Sequence, residues 1–344
     1  MNDDRIRRLV AGIAAGAAAG AVALALVRSR EQRLRLARQV DDLTRWAIER
    51  LAWPAASRFV PAGGLQLHAV VAGPEDGPLA VLLHGFPDCW YGWRRQIAAL
   101  AAAGYRVVVP DQRGYNLSDK PTGVESYGLD RLTGDVMDVI QGLGREQAVV
   151  IGHDWGGMVA WRLAMDYPQA VDRLVILNAP HPRAMARELK TNPVQQRRSW
   201  YMRFFQLPWL PETLLAFSPQ ATARLVFRRM TVRPGAFADE DLAVHAAAMA
   251  QPGAMAAMIH WYRAAVRCPP ARRTQEIAQP TLVLWGEEDP ALGKELNNGL
   301  EAWVTNLQVH YIADCGHWVQ SEAAEEVNSR MLAFLRGTAQ RIKS

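Results

Sequence analysis

Short apolar runs alternate with helical patterns along most of this chain, and that alternation constrains its fold more than any other feature. An early run, LQLHAVVAG, alternates like an antiparallel strand. Six later runs resemble buried strands, each ending in Gly, Asp, Asn or Pro: LAVLLHG, YRVVVPD, QAVVIGHD, DRLVILNAP, PTLVLWGEED and LQVHYIADCGH. Helical patterns separate most of them. The sequence therefore predicts an α/β fold with a mostly parallel, doubly wound sheet that carries helices on both faces.

One interval breaks this rhythm. Residues 181–274 contain no strand-like run, only helical and proline-punctuated segments rich in aromatic residues. Ligands of open parallel sheets bind at the carboxyl ends of the strands, so an insertion there predicts a helical lid over the site. We therefore divide the body into a core, residues 53–180 and 275–344, and a lid, residues 181–274.

Residues 1–52 are predicted to be a separate segment. Residues 9–27 lack any polar side chain, and as a helix they would span about 28 Å of the roughly 30 Å hydrocarbon core of a bilayer. More arginines follow this run than precede it, which favours a membrane anchor with the body on the cytoplasmic side. The alternatives are a signal peptide cleaved near residues 23–25, with export, and a soluble alanine-rich helix. Residues 33–53 have the spacing of an amphipathic helix.

Charge and cysteine content exclude some functions. The formal net charge is +5, but residues 1–52 contribute +4 of it, so the net charge of the body is near +1 and no basic face for nucleic acid can be inferred from it. The three cysteines, Cys89, Cys268 and Cys315, have no metal-binding spacing. We expect no cofactor and no metal.

Reactive side chains follow several predicted strands. In GHDWGG, Gly152, Asp154 and Gly156 occupy the places of the G-x-S-x-G turn between a strand and a helix, with a carboxylate where a nucleophilic serine would stand. The two glycines allow a close approach that pushes the central side chain out over the sheet. Asp289 and His317 follow later strands, so the chain order is nucleophile, acid, histidine. Singly, such residues are usually structural, but together they predict a catalytic triad.

An aspartate nucleophile can displace a leaving group from saturated carbon, which forms an alkyl ester of the enzyme. His317, oriented by Asp289, would then activate a water to attack the carboxyl carbon of Asp154. The backbone N–H groups of Phe86 and Trp155 would hold the resulting oxyanion. No G-x-S-x-G occurs in the chain, which excludes a serine esterase.

Residues 60–338 resemble the α/β-hydrolase-fold epoxide hydrolases. The motifs that carry the resemblance are HGFPDCWYGWRRQ, DQRGYNLSDKP, GHDWGG, WGEED and GHWVQSE. The resemblance implies an α/β-hydrolase fold, an epoxide substrate, and two lid tyrosines that protonate the epoxide oxygen: Tyr201 in WYMRFFQLPW and Tyr262 in HWYRA. The aromatic residues of the lid favour a lipophilic epoxide, with a role in the lid core as the alternative: Trp200, Phe204, Phe205, Trp209, Phe217 and Trp261. An epoxide oxygen is a poor leaving group, so an acid opposite the carboxylate is chemically required. With residues 9–27, the resemblance extends to the membrane-anchored branch of the family.

Two other functions stay open. A haloalkane or haloacetate dehalogenase would use the same Asp154, and Trp155 could offer an indole N–H to the halide. However, Phe86 stands where many haloalkane dehalogenases have a side-chain donor, and the arginines that fluoroacetate dehalogenases use after the nucleophile are absent. A binding protein on the same fold would have no need of His317.

Overall fold

The computed structural model describes residues 42–271 and 275–337. Residues 42–49 are helical, within the predicted amphipathic segment. Contacts group the described residues from Ala47 onward into one compact unit. The predicted anchor, residues 9–27, lies outside the described residues. Within the described ranges, no single helix is both long and apolar enough to cross a membrane.

A sheet of eight strands forms the centre of the larger unit, with the strand order β1-β2-β4-β3-β5-β6-β7-β8. β2 pairs antiparallel with β1 and β4, and all other pairs are parallel. The bounds are β1 Ala55–Ala62, β2 Leu65–Ala72, β3 Leu79–Leu83, β4 Arg106–Pro110, β5 Ala148–His153, β6 Val171–Leu177, β7 Thr281–Gly286 and β8 Leu307–Ile312. The predicted mostly parallel sheet is confirmed.

The sequence did not predict β1. Its residues, AASRFVPA, lie at the edge of the sheet and expose most of their side chains, so they lack the apolar alternation that marks a strand. The central strands β3, β5 and β7 are buried along their whole length, because both faces of a parallel sheet are covered.

Helices follow the strands as predicted. α1 (Arg94–Ala102), α2 (Leu129–Gly142) and α3 (Trp155–Asp166) precede the lid, and α2 packs against α3. The described residues 181–271 form helices and no strand: α4 Pro182–Thr191, α5 Pro193–Arg198, α6 Trp200–Phe204, α7 Leu210–Phe217, α8 Pro219–Arg229, α9 Asp239–Met249 and α10 Ala254–Arg267. Asn192 and Ser218 cap the two helices that begin at Pro193 and Pro219, which explains the proline punctuation.

The chain after the lid completes the sheet and ends in helices. α11 (Val319–Glu322) and α12 (Ala324–Arg336) follow β8, and α12 packs against α1. Short 3₁₀ helices lie at Trp90–Trp93, Val124–Tyr127, Pro168–Ala170, Lys294–Asn297 and Leu300–Ala302. The loops after β3, β5, β6, β7 and β8 all lie on the same side of the sheet, at the carboxyl ends of its parallel strands.

Candidate active site

Asp154 lies in the sharp turn between β5 and α3. Its φ is 50°, a left-handed conformation that is strained for a residue with a side chain. The flanking glycines make this turn possible. A Cβ on Gly156 would lie 2.1 Å from the Leu83 carbonyl oxygen, and a Cβ on Gly152 would lie 2.4 Å from the Gly156 carbonyl oxygen. No larger residue fits at either place. The turn therefore holds the Asp154 carboxyl group at the end of the sheet, as the sequence predicted.

Two backbone N–H groups point at the Asp154 carboxylate. The Phe86 N–H donates to Asp154 Oδ1 at 2.8 Å, and the Trp155 N–H also acts to lower the pKa of this carboxylate. Phe86 lies in the loop after β3, and Gln112 holds that loop through its side-chain bond to the His84 carbonyl at 2.5 Å. Both predicted oxyanion donors thus lie close enough to Asp154 to stabilise negative charge on it.

The structure brings Asp154, Asp289 and His317 together. His317 Nδ1 bonds Asp289 Oδ2 at 2.7 Å, and His317 Nε2 lies 3.9 Å from Asp154 Oδ2. Burial opposes ionisation of Asp289, but the His317 charge and hydrogen bond, together with a bond from Asn178, hold its pKa below the ordinary value. Asp289 is therefore an anion that can orient His317 and stabilise its protonated form.

Asn178 was not singled out from the sequence. It follows β6, and its Nδ2 donates to Asp289 Oδ2 at 2.8 Å while its Oδ1 accepts from the Gly286 N–H at 2.9 Å. It therefore fixes the Asp289 carboxylate relative to β7. The sequence signal was weak: LNAPHP is a strand-end loop without a carboxylate.

Glu322 was also missed, although it ends the motif GHWVQSE. Its buried carboxylate binds the loop that carries His317 to the lid segment between α8 and α9. Oε2 accepts from the N–H groups of Gly316, Val232 and Arg233 at 3.1, 2.7 and 3.0 Å, and Oε1 accepts from Trp318 at 3.2 Å. Glu322 thus positions His317 without touching the cavity.

A small cavity of about 60 Å³ connects the lid with the nucleophile. Asp154 lines it together with Tyr201 on α6 and Tyr262 on α10, and the remaining lining is mainly apolar: Trp155, Met158, Pro180, Met185, Met202 and Leu292. The two tyrosine rings lie 5.9 Å apart at 82°. The structure therefore brings both predicted tyrosines to the same cavity as the predicted nucleophile.

The charges around this cavity set its protonation. Burial raises the pKa of both tyrosines, and the Asp154 charge raises them further, so both hydroxyls keep their protons at neutral pH. Burial also raises the pKa of Asp154, although His317 and the two backbone N–H groups oppose the rise. For His317, burial acts downward, but the charges of Asp289 and Asp154 prevail and raise its pKa.

A second buried cluster lies beside the site. Among the described residues, Asp88, Cys89 and His245 hold their ligand atoms within 4.8 Å of one another. Burial raises the pKa of the Cys89 thiol well above its usual value, and Asp88 and Asp111 add to the effect, so Cys89 stays a thiol. Asp88 Oδ1 and His245 Nδ1 are 3.1 Å apart. The cluster thus links the core to the lid helix α9 through the contact between Asp88 and His245.

Comparison with known proteins agrees with this geometry. Residues 78–324 match the family model described as alpha/beta hydrolase fold. The AB hydrolase superfamily protein YfhM of Bacillus subtilis is 42% identical over 279 residues, which cover 81% of this chain and 97% of that protein. Epoxide hydrolase 1 of Caenorhabditis elegans is 38% identical over 81% of this chain and 70% of its own length.

Solved structures are similar as well. An epoxide hydrolase of Bacillus megaterium in complex with an inhibitor has a TM-score of 0.74 and 34% identity, over 81% of this chain and 99% of that one. Epoxide Hydrolase A of Mycobacterium thermoresistibile has a TM-score of 0.72 and 33% identity, over 82% and 98%. The chain belongs to the alpha/beta hydrolase fold family and is a hydrolase, with epoxide hydrolases among its relatives.

Proposed function

We propose that this protein is an epoxide hydrolase that converts a lipophilic epoxide to a vicinal diol through an alkyl ester on Asp154. The observation that carries the proposal is a single, mainly apolar cavity lined by Asp154, Tyr201 and Tyr262. A carboxylate and two protonated phenols around one space suit a substrate that must be attacked at carbon and protonated at oxygen. Relatives named epoxide hydrolases, at 33–38% identity, support the same reaction.

In the first half-reaction, Asp154 Oδ2 attacks an epoxide carbon. Oδ1 accepts from the Phe86 N–H and therefore becomes the carbonyl oxygen of the ester. The carbon–oxygen bond of the ring breaks, and the departing alkoxide takes a proton from Tyr201 or Tyr262. The product is a hydroxyalkyl ester of Asp154.

In the second half-reaction, His317 Nε2 takes a proton from a water that attacks the carboxyl carbon of Asp154. The Phe86 and Trp155 N–H groups stabilise the oxyanion. Collapse breaks the ester bond, and the departing alkoxide takes the remaining proton of the attacking water, which leaves Asp154 as a carboxylate and releases the diol. The proton held by His317 returns to the tyrosine. One solvent oxygen remains in Asp154.

A single variant tests this sequence of steps. His317→Gln should still open the epoxide but should not hydrolyse the ester, so the chain gains the mass of one substrate on a peptide containing Asp154. Asp154→Asn is the control and should gain nothing. With wild type in labelled water, one turnover should place solvent oxygen in Asp154. Label found only in the diol would mean direct attack of water and would remove the nucleophile assignment.

A dehalogenase remains the alternative because it would form the same ester. We rank it second because halide loss needs no proton donor, whereas Tyr201 and Tyr262 both line the cavity. Diol release from a styrene-type oxide without halide release from a chloroalkane is the expected result. The reverse result would favour the dehalogenase.

We also propose that residues 9–27 anchor the chain in a membrane with the catalytic body on the cytoplasmic side, as in the anchored branch of the family. The support is the apolar run and the arginines that follow it. Full-length protein should sediment with membranes and resist carbonate extraction. Soluble recovery of the full chain would remove the anchor, and periplasmic recovery of a chain lacking this run would indicate export after cleavage.

A further inference from the structure

Exposed apolar side chains are concentrated in one part of the lid. The described residues expose eleven large hydrophobic side chains, and seven of them fall within residues 194–225: Val194, Trp200, Leu207, Trp209, Leu214, Phe217 and Leu225. Phe217 is 90% exposed, Trp209 67% and Trp200 63%. Single exposed hydrophobic residues are ordinary on protein surfaces, but such a concentration marks an interaction surface.

Helix α7 presents the most exposed part of this surface. Leu214 and Phe217 are three residues apart and therefore share one face of the helix. The other side of α7 is fixed, because Glu212 binds the Arg263 guanidinium and the Leu215 carbonyl accepts from Thr222 Oγ1 at 2.9 Å. Just before α7, Trp209 has a φ of 51°, a strained conformation for an exposed tryptophan. Within the described residues, nothing covers this outward face.

The segment that carries these exposed side chains is strongly basic. Residues 193–229 contain six arginines and one acidic residue, Glu212, which pairs with Arg263 at 2.8 Å. Their net charge of +5 equals the formal net charge of the whole chain. Arg203, Arg224 and Arg229 are exposed.

We propose that this surface docks on an anionic lipid bilayer. The contact is made by a lid ridge, which we define as Trp200, Leu207, Trp209, Leu214 and Phe217. Tryptophan, phenylalanine and leucine side chains enter the interfacial region of a bilayer, and arginines around them meet anionic headgroups.

Charge argues against two other occupants of the ridge. A second copy docked symmetrically through this face would bring two stretches of +5 together, and like charges across an interface repel. Residues 1–41 of the same chain are also basic, with eight arginines against four acidic residues. An anionic surface with an apolar interior complements both the charge and the exposed side chains.

The lid ridge is joined directly to the elements that carry the tyrosines. Trp200 is exposed while its neighbour Tyr201 lines the cavity. Arg263, the neighbour of Tyr262, donates to the carbonyl oxygens of Phe205 and Leu207. Docking therefore places the lid of the cavity at the bilayer, where lipophilic epoxides concentrate. This last consequence rests on the proposed function, whereas the docking itself does not.

Site-specific labelling of the full chain tests the docking. Phe217→Cys carries an environment-sensitive nitrobenzoxadiazole label, in a chain where Cys268→Ser removes the half-buried thiol. Phe59→Cys is the matched control, since Phe59 is a phenylalanine 57% exposed on β1, outside the lid. Each chain is reconstituted into phosphatidylcholine vesicles or into equimolar phosphatidylcholine and phosphatidylglycerol, both with brominated acyl chains as quencher.

The Phe217 label should be quenched in the anionic vesicles and much less in phosphatidylcholine, and the Phe59 label should be quenched in neither. Replacing Arg224 and Arg229 by glutamine should shift the equilibrium away from the docked state by about five-fold for each arginine. Protein held in the vesicles with an unquenched Phe217 label would mean that only the anchor binds. Equal quenching of both labels, or a Phe217 label already shielded without lipid, would also overturn the proposal.

Substrate delivery is tested separately. Trp209→Ser with Phe217→Ser should leave hydrolysis of a small water-soluble epoxide unchanged and should slow hydrolysis of an epoxide dissolved in anionic vesicles. Equal rates on both substrates would refute delivery through the lid ridge. If wild type hydrolyses no epoxide, the proposed function fails, while the labelling result still decides the docking.

Discussion

Glu322→Gln should slow ester hydrolysis without slowing ester formation. The Glu322 carboxylate accepts four backbone N–H groups, three on Oε2 and one on Oε1. Glutamine keeps one oxygen but puts an NH₂ group opposite the Trp318 N–H, and the other three bonds lose their ionic partner. From the size of charge-assisted hydrogen bonds and the penalty for a buried unpaired donor, we expect a loss of about 3 kcal/mol in the free energy of unfolding.

The kinetic consequence follows from what Glu322 holds. It fixes the loop of His317, and in our mechanism His317 acts only after the ester has formed. Single-turnover mass spectrometry on Glu322→Gln should therefore show ester on Asp154 appearing at the wild-type rate and disappearing slowly. Glu325→Gln is the control, because Glu325 is exposed on α12 and its replacement should change stability by less than about 0.5 kcal/mol.

A pH profile separates positioning from mere loss of stability. The Glu322 charge is among the causes that raise the pKa of His317, so removing it lowers that pKa. His317 must be neutral to act as a base, and the rise of ester hydrolysis with pH should therefore move to lower pH in Glu322→Gln. Equal slowing of both half-reactions, with an unmoved profile, would show that Glu322 only stabilises the fold and would refute this reasoning.

Two further predictions concern the tyrosines and the buried histidines. Tyr201→Phe or Tyr262→Phe should slow ester formation by about 10²-fold, the usual effect of losing a positioned acid. Pre-steady-state rates of Asp154 alkylation measure this effect. Unchanged rates in both variants would mean that the two tyrosines have only a structural role. Burial lowers the pKa of His153 and His181 to about 3, so the unfolded chain binds protons below pH 6.5 that the folded chain does not. The contribution of these two histidines to stability should be complete above that pH and should fall by about 1.4 kcal/mol per pH unit for each histidine as pH drops. Urea unfolding of His181→Gln should therefore lose about 1.4 kcal/mol per pH unit of the wild-type slope.

The sequence predicted the parts of the site that depend on local geometry. Gly152 and Gly156 could be recognised because only glycine fits that turn, and the loops of Asp289 and His317 could be recognised because parallel strands end at one edge of the sheet. The lid was visible as the interval without strand-like runs. In each case, the physical requirement acts over a few neighbouring residues and so leaves a readable pattern.

The parts that the sequence did not predict depend on partners distant in the chain. Asn178 bonds Asp289 across 111 positions, and Glu322 bonds Val232 across 90. His245 contacts Asp88 from the lid. In the sequence, nothing distinguishes either residue from an ordinary polar residue. β1 was missed because its edge position removes the burial pattern. Such contacts arise from tertiary packing and leave no local period in the sequence.

The electrostatics of the site fit the order of the two half-reactions that we propose. Before reaction, Asp154 is an anion 3.9 Å from His317, and its charge helps to raise the pKa of that histidine. Ester formation neutralises Asp154, which removes this cause and lowers the pKa of His317. The histidine therefore becomes a better-populated free base at the step in which it must deprotonate water. The same neutralisation removes the Asp154 charge that raises the pKa of Tyr201 and Tyr262. The tyrosine that has given up its proton is therefore more stable as an anion until His317 returns a proton to it.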